Sequence, residues 1–527
     1  MNERTSAALP SAHVHEGGEC SATECAPSVA SGRDGRRHLA LVLCAAVVCK
    51  VLYLAEYLSL PFLYGPLFDS QVYLLQARRI TEGRFGDATL LAFSPLYGYF
   101  LALLGAHQGS ILPVLVQLGL GALNVLLLHR ITARLFGSRA ALAAALLYLG
   151  YGPCLFFESK IMSETLGLTL MLCTLERMSR RSFWSERGTS TQLTAGACAA
   201  LAILARASFL PAAPLLAVAA CLREAGPASE AAPRRPRAQL RRGFIFAAAL
   251  VLVLAAHGGW TKLQSGLFVP VILVSNTAAR ATQHAWTGDL SVFRAGPEQL
   301  VGAFSVVEQA RARLKRARRA EPEPVGEPFS LPGYLTQAPS KLWLTLRDGE
   351  TSFDYGFYGE RTEVWPLRLC VVSFGMLLAF ALVGLVGACR ERKLRALSPL
   401  LALGLGTLLT TTLFHPSTRY RLPLLLLLLP LAGYAWQLAL ALEPPRRRMS
   451  ALAALGLVGL AFALHQGLRP LDRPAFWQLR VAEAALEEGD FATARLRLVA
   501  ARQLALQDPQ ARQRAQMLES RLPRLAP

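Results

Sequence analysis

One acid stands out in a chain that is mostly Leu, Ala and Val. Asp69 lies in PLFDSQVYLLQARRITEGRFGDATLLAFSPLYGY, residues 66–99, between the first two long apolar runs. A carboxylate at a membrane edge is costly to desolvate, so it reads by default as a functional residue, a candidate for catalysis. Tyr73, Ala77 and Ile80 follow at helical spacing, which predicts a short amphipathic helix with Asp69 at its start and Tyr73 one turn on. A structural role competes: Asp is also a preferred helix N-cap, and a capping carboxylate makes a weaker base.

Cations that could meet an anion occur elsewhere. Arg206 interrupts apolar sequence at ILARASFLP, while His415, Arg419 and Arg421 lie in FHPSTRYRLPL. Guanidinium groups match phosphate oxygens bidentately, so these residues suit a lipid phosphate or pyrophosphate; anchoring at the headgroup level is the alternative. Further candidates are Glu158 and Glu164 in FESKIMSE, and Lys341 and Glu350 in KLWLTLRDGE. Glu158 and Lys160 fit a solvated turn, whereas Glu164, one turn into an apolar run, demands a partner.

These residues must be positioned by membrane spans. The 527 residues are 53% hydrophobic and 17% charged. About eleven apolar runs suit transmembrane helices: 39–60, 111–128, 140–156, 161–175, 193–205, 209–222, 244–257, 369–388, 397–414, 422–442 and 451–465. The fold class expected is therefore an all-α polytopic membrane protein. The first run, behind a polar tail without a small-residue cleavage site, reads as a retained anchor.

Arginine tracts give the sidedness. Arg33, Arg36 and Arg37, then Arg130 to Arg139, Arg177 to Arg187, Arg223 to Arg242, Arg390 to Arg395 and Arg446 to Arg448 alternate with the spans as cytoplasmic connections should. The N-terminus is then cytoplasmic and the C-terminus outside, and every candidate residue above falls on the outer face. Although the net charge is +20, its confinement to short loops argues against a nucleic-acid groove.

Three domains follow: a disordered N-terminus (1–37), a membrane domain (38–466) with a large outer loop (259–365), and a soluble helical tail (474–527). Within that loop, QARARLKRARR (309–319) is strongly basic; it reads as a solvated amphipathic helix or as a contact with anionic lipid. Gly489, Phe491, Ala494, Leu498 and Ala501, with Pro509 after them, resemble one tetratricopeptide unit. Such a tail could bind a protein partner or merely cap the chain, and its removal is expected to leave a membrane enzyme active. Ten cysteines form no disulfide framework, and neither Cys20 and Cys25 with His13 and His15 nor any other group has zinc-ligand spacing. Nucleotide loops and nucleophile elbows are missing from the sequence.

In order, FDSQVYLLQARRITEG with SPLYGYFLAL, GPCLFFESKIMSETL, LARASFL, VSNTAAR and RYRLPLLLLLLPLAG resemble the GT-C membrane glycosyltransferases, in the branch of protein O-mannosyltransferases and the lipid A aminoarabinose transferase. The resemblance covers roughly residues 39–442. It implies an outer loop of juxtamembrane helices over a membrane-boundary cavity, in the bacterial inner membrane with the active face periplasmic. It also implies a polyprenyl-phosphate sugar donor, a lipid, glycan or protein acceptor, and neither metal nor other cofactor. Asp69 would be the base, with Arg419 and Arg421 first and Arg206 second on the leaving phosphate. The pattern departs at Ser70, where many relatives carry a second acid, and at Phe93 and Ser94, where the aminoarabinose branch has Glu-Lys before the proline. A flippase for a lipid-linked glycan and a non-catalytic membrane scaffold are the competing readings; transporters commonly show two-fold repeats and midplane charges.

Overall fold

The structure is a computed structural model that describes residues 32–63, 65, 67–185, 187–222, 236–272, 301–319, 330–350, 355–414, 416–441, 450, 453, 474–505 and 509–523. Among them every regular element is helical. In chain order these are α1 (Gly32–Tyr57), α2 (Asp69–Thr81), α3 (Ala88–Ala92), α4 (Pro95–Leu103), α5 (Leu112–Phe136), α6 (Ser138–Gly150), α7 (Gly152–Glu158), α8 (Glu164–Met178), α9 (Arg181–Trp184), α10 (Thr189–Ala205), α11 (Ala212–Cys221) and α12 (Pro236–Ser265). There follow α13 (Val301–Arg318), α14 (Leu331–Leu346), α15 (Phe357–Glu363), α16 (Trp365–Arg368), α17 (Phe374–Arg390), α18 (Ser398–Leu413), α19 (Thr418–Arg421), α20 (Leu425–Ala441), α21 (Pro474–Glu488), α22 (Phe491–Leu504) and α23 (Pro509–Glu519).

Four described helical stretches, 37–57, α5, α12 and 418–441, are long and apolar enough to cross a bilayer, and α6 with α7 makes a fifth as a pair bent by 63°. Shorter apolar helices are α10, α11, α17 and α18. Ten of the eleven expected runs thus coincide with helices. The eleventh, 451–465, lies outside the described residues, as do most of the N-terminal domain, VSNTAAR and His415. Val47, Val51, Val218, Leu252 and Leu405 on these helices are more than half exposed, the pattern of lipid-facing walls.

The expected connections separate into two poles. At one, Arg134 and Arg180 both reach Glu176, at 2.8 and 3.0 Å. There too the Lys393 ammonium lies 4.9 Å from the Tyr434 ring, and Gln437 accepts from the Ala140 amide at 3.2 Å. Those residues belong to the stretches read as cytoplasmic. At the other pole sit α2 to α4, the α7–α8 turn, the bend at Arg206, α14 to α16 and α19. Charge alternation and packing therefore give the same grouping of ends.

The tail forms a three-helix unit. Its three helices share a core of Ala482, Ala485, Ala494, Leu498, Ala501 and Ala515, with α23 covering the face that one helical hairpin leaves bare. Phe491, at the start of α22, is 42% exposed. Yet α21 also keys into the membrane domain. Trp477 donates to Glu363 at 2.7 Å and packs on Phe62 with ring centroids 5.5 Å apart, and Arg497 reaches Glu363 at 2.6 Å. Gly65 lies so close that an added Cβ would fall 1.8 Å from the Ala484 carbonyl oxygen. The tail is a buttress of the pole that carries Asp69, not a separable appendage. Gly65→Ala is therefore expected to destabilise the docked state by about 1–3 kcal/mol, as overpacking does; limited proteolysis should release the tail faster in that variant than in the parent.

Candidate functional site

Asp69 opens α2, but it is not the N-cap. That position is held by Phe68, with left-handed φ of 50° and no side-chain bond to the helix. The carboxylate instead turns toward the bundle, where its Oδ2 accepts from Arg419 Nη1 at 2.7 Å. The same guanidinium donates through Nε to Glu164 Oε1 at 2.7 Å. Arg206 pairs with that same Glu164 oxygen and donates through Nη2 to the Arg419 carbonyl at 2.7 Å and through Nε to Ser208 at 2.9 Å. Four charged side chains from four distant segments thus form one alternating row: Asp69, Arg419, Glu164, Arg206.

Each position has a local cause. Arg206 sits in extended backbone that breaks α10 from the following single turn 207–209, which swings its side chain inward. Arg419 is held by the one-turn helix α19 at the head of α20, and Glu164 starts α8 after a turn. Glu164 and Arg419 are buried, whereas the Asp69 side chain keeps 23% of its surface. Asp69 is accordingly the member that an incoming molecule can reach. Glu164 Oε2 is buried and has no hydrogen-bond partner among the described residues. Beside the row, Tyr73 donates to Ser163 at 3.2 Å and stands edge-on to Tyr97, 4.8 Å away. Burial, reinforced by the carboxylates of Asp69 and Glu164, pushes the Tyr73 phenol up and keeps it a neutral donor.

Arg421, two residues after Arg419, does not join the row. Its Nη1 donates to the Arg347 carbonyl at 2.9 Å, and its Nη2 to the Gly349 carbonyl at 2.6 Å and Glu350 at 2.7 Å. Its plane lies over Phe374, 4.0 Å from the centroid. Glu350 also accepts from Tyr151 at 2.7 Å and Thr418 at 2.8 Å. Expected on a phosphate, Arg421 is instead bound up in fastening the stretch 345–350 to α19. Burial, with Glu350 behind it, pushes the nearby Tyr358 phenol up; burial pushes the Lys341 ammonium and the Arg347 guanidinium down. Lys341 is buried in α14, which packs against α18.

Glu158 and Lys160 are not solvated. Glu158 pairs with Lys50 from the middle of α1 and accepts from Tyr148 at 3.0 Å. Lys160 pairs with Glu360 at 2.6 Å inside a box of rings, with the centroids of Tyr57, Phe156, Phe62 and Tyr355 4.1–5.4 Å from its ammonium. Tyr355 then donates to Ser70 at 2.9 Å and accepts from the Leu67 amide at 3.1 Å, gripping the backbone on either side of Phe68 and Asp69. Sequence reasoning passed over Glu360, Tyr355 and Lys50. Only Lys50 left a signal, a lone lysine within the first apolar run. Among the described residues no group of three or more His, Cys, Asp or Glu side chains could hold a metal ion.

Breaking one side of a buried pair costs about 3–5 kcal/mol, because the surviving charge is left uncompensated. Lys160→Met should therefore lower the thermal unfolding midpoint in detergent sharply, and Glu360→Leu added to it should restore most of the loss. Equal midpoints for Lys160→Met and the parent would refute the pairing.

No family model and no curated protein matches the sequence. Among solved structures, the chain is similar to the Archaeoglobus fulgidus oligosaccharyltransferase tethered with an acceptor peptide, at 14% identity and a TM-score of 0.47 over 87% of this chain and 58% of that one. It is also similar to the same organism's AglB in complex with an inhibitory peptide and a dolichol-phosphate, at 13% identity and 0.45 over 88% and 60%. A third is ArnT from Cupriavidus metallidurans bound to undecaprenyl phosphate, at 14% and 0.43 over 92% and 75%. The chain spans less than two thirds of the length of the archaeal enzyme. At such distances the likeness carries no argument about activity, which rests on the site itself.

Proposed function

We propose that this chain is an integral-membrane glycosyltransferase that moves a sugar from a polyprenyl-phosphate carrier to a lipid, glycan or protein acceptor at the periplasmic face, with inversion at the anomeric carbon. The observation that carries the reading is the row Asp69, Arg419, Glu164, Arg206, in which a partly open carboxylate meets a guanidinium anchored from behind by a buried acid.

In this reading Asp69 takes the proton from the acceptor hydroxyl as its oxygen attacks the anomeric carbon, and the bond to the phosphate oxygen breaks on the opposite side. The carrier leaves as polyprenyl phosphate, whose growing negative charge falls to Arg419. Held between two carboxylates, Arg419 is ready to exchange Asp69 for a phosphate oxygen. That exchange frees the carboxylate to act as a base only once donor is bound. Arg206 supports from the second rank, holding Glu164 and the Arg419 carbonyl. Arg421 and Glu350 set the frame.

Purified protein in proteoliposomes, supplied with polyprenyl-phosphate sugars and assayed for release of the free carrier phosphate, tests this. Asp69→Asn should lower turnover by about 10²–10⁴-fold, the usual worth of a general base. Arg419→Gln should lower it by about 10²–10³-fold, as for loss of a transition-state donor. Undiminished turnover in Asp69→Asn removes the assignment. Passage of intact glycolipid between leaflets without cleavage would favour a flippase.

A further inference from the structure

The basic stretch of the large outer loop is not absorbed by the site above. It forms the C-terminal half of α13, which lies on α2 and α3: Val307 and Ala310 pack with Val72, Ala88 and Ala92, and Leu314 with Leu91 and Val269. This apolar seam forces two cationic edges together. A cavity of ≈ 550 Å³ opens between them, lined by Arg84 from the turn after α2, by Arg311 and Lys315 on α13 and by Arg319 in the turn that follows it, at four-residue spacing. Its one acidic lining residue, Asp87, spends Oδ1 on the Thr89 amide and hydroxyl at 2.9 and 2.8 Å. Glu82 nearby is shared among Arg78, Arg79 and Arg84, Asp87 Oδ2 lies 3.7 Å from Arg79, and exposed Glu308 lies 3.7 Å from Arg311 on the same helix, so the cations still outnumber the acids. Like charges gathered by packing repel one another, and an anion between them is bound with the repulsion it relieves.

An independent feature gives the depth of the cavity. Gly86 in its wall abuts the exit of α12, where an added Cβ would fall 2.3 Å from the Gln264 carbonyl oxygen. One turn back, Trp260 donates to Tyr99 at 3.1 Å and meets Phe85 edge-on at 5.7 Å. Leu103, Leu263 and Phe268 around this cluster are 85%, 81% and 55% exposed. Clustered Trp and Tyr above exposed aliphatic side chains mark the headgroup level of a span, so the cationic cavity opens where lipid phosphates lie. Asp69 opens α2 and Arg84 lies past its other end, roughly 18 Å of helix on at 1.5 Å per residue; none of the residues lining the cavity belongs to the row around Asp69, which makes this a second site.

We propose that the cavity between α13 and the α2–α3 turn binds the phosphate-bearing headgroup of an anionic membrane phospholipid. The lipid bridges the large outer loop to the helix that carries Asp69, independently of any transfer chemistry. A soluble phosphate would find the same cations, but it would leave the apolar rim unmatched.

Full-length protein in nanodiscs of phosphatidylcholine with one-fifth phosphatidylglycerol, analysed for lipids retained on release into detergent, tests the site. The parent should retain phosphatidylglycerol over phosphatidylcholine, and R311E/K315E should cut that preference at least about tenfold, given about fivefold per basic residue near a membrane surface. Charge reversal at Arg390, on the opposite pole, should leave it unchanged. If α13 detaches in the double variant, R84Q on the facing wall should still lower the preference about fivefold. Equal retention in the parent and all site variants overturns the proposal. Millimolar inorganic phosphate should fail to displace the lipid; displacement, with phosphate bound by lipid-free protein, overturns the lipid assignment.

Discussion

Burying charge is the constraint on which the rest depends. A carboxylate taken from water into a helical bundle costs several kcal/mol, roughly, even after relaxation, and the cost is met only by a well-placed cation. At the Asp69 pole the chain does this repeatedly: Asp69 and Glu164 with Arg419 and Arg206, Glu158 with Lys50, Glu360 with Lys160, Glu350 with Arg421. The partners are 42 to 350 residues apart in sequence. Leu and Ala surfaces pack permissively against one another or against lipid, so they say little about which helix ends must meet. A buried acid that must meet a cation says much more, and here the ion pairs dictate how the loops of one pole close over the bundle.

That division explains what could be read without coordinates. Apolar runs gave the long helices of the membrane domain, because bilayer-length hydrophobicity is a local property. Arg tracts gave the grouping of loops, since positive charge is retained on one side. Pairing is not local. Arg419 and Arg421 are equivalent as sequence, yet a rotation of about 200° between residues i and i+2 on a helix sends one to Asp69 and the other to Glu350. Asp69 read as a cap or as a site residue, the cap being the more ordinary of the two; in the structure Phe68, at positive φ, holds the capping position instead. Glu158 and Lys160 looked solvated because their cations and acids, Lys50 and Glu360, lie on elements no spacing rule connects to them.

Phe68 also shows how the framework reaches the candidate base. A non-glycine residue at φ 50° sits in a sparsely populated conformation that persists only where its surroundings overdetermine it. Here Tyr355 binds Leu67 and Ser70 on either side, and Arg480 of the tail lies over the Phe68 ring at 5.8 Å. Tyr355 in turn stands edge-on to Phe62, which packs on Trp477 of the tail. The direction of Asp69 is thus set jointly by the ring box around Lys160 and by a helix more than 400 residues further along the chain. A tail that reads as a separate repeat is part of what aims the acid.

The resting ion pair then has a chemical logic. A carboxylate already engaged by a guanidinium is a poor base until that contact is exchanged. Pairing Asp69 with an arginine that is independently held by Glu164 leaves the arginine anchored if the acid lets go. Were Arg419 held by Asp69 alone, an incoming phosphate would pull the guanidinium away and take the geometry with it. Because Glu164 is in turn fixed by Arg206, the exchange of one anion for another at Arg419 moves only its outer contact. The alternating row is therefore better understood as a switchable terminus on a rigid chain of charges than as four separate salt bridges, and this is the property the proposed transfer reaction requires.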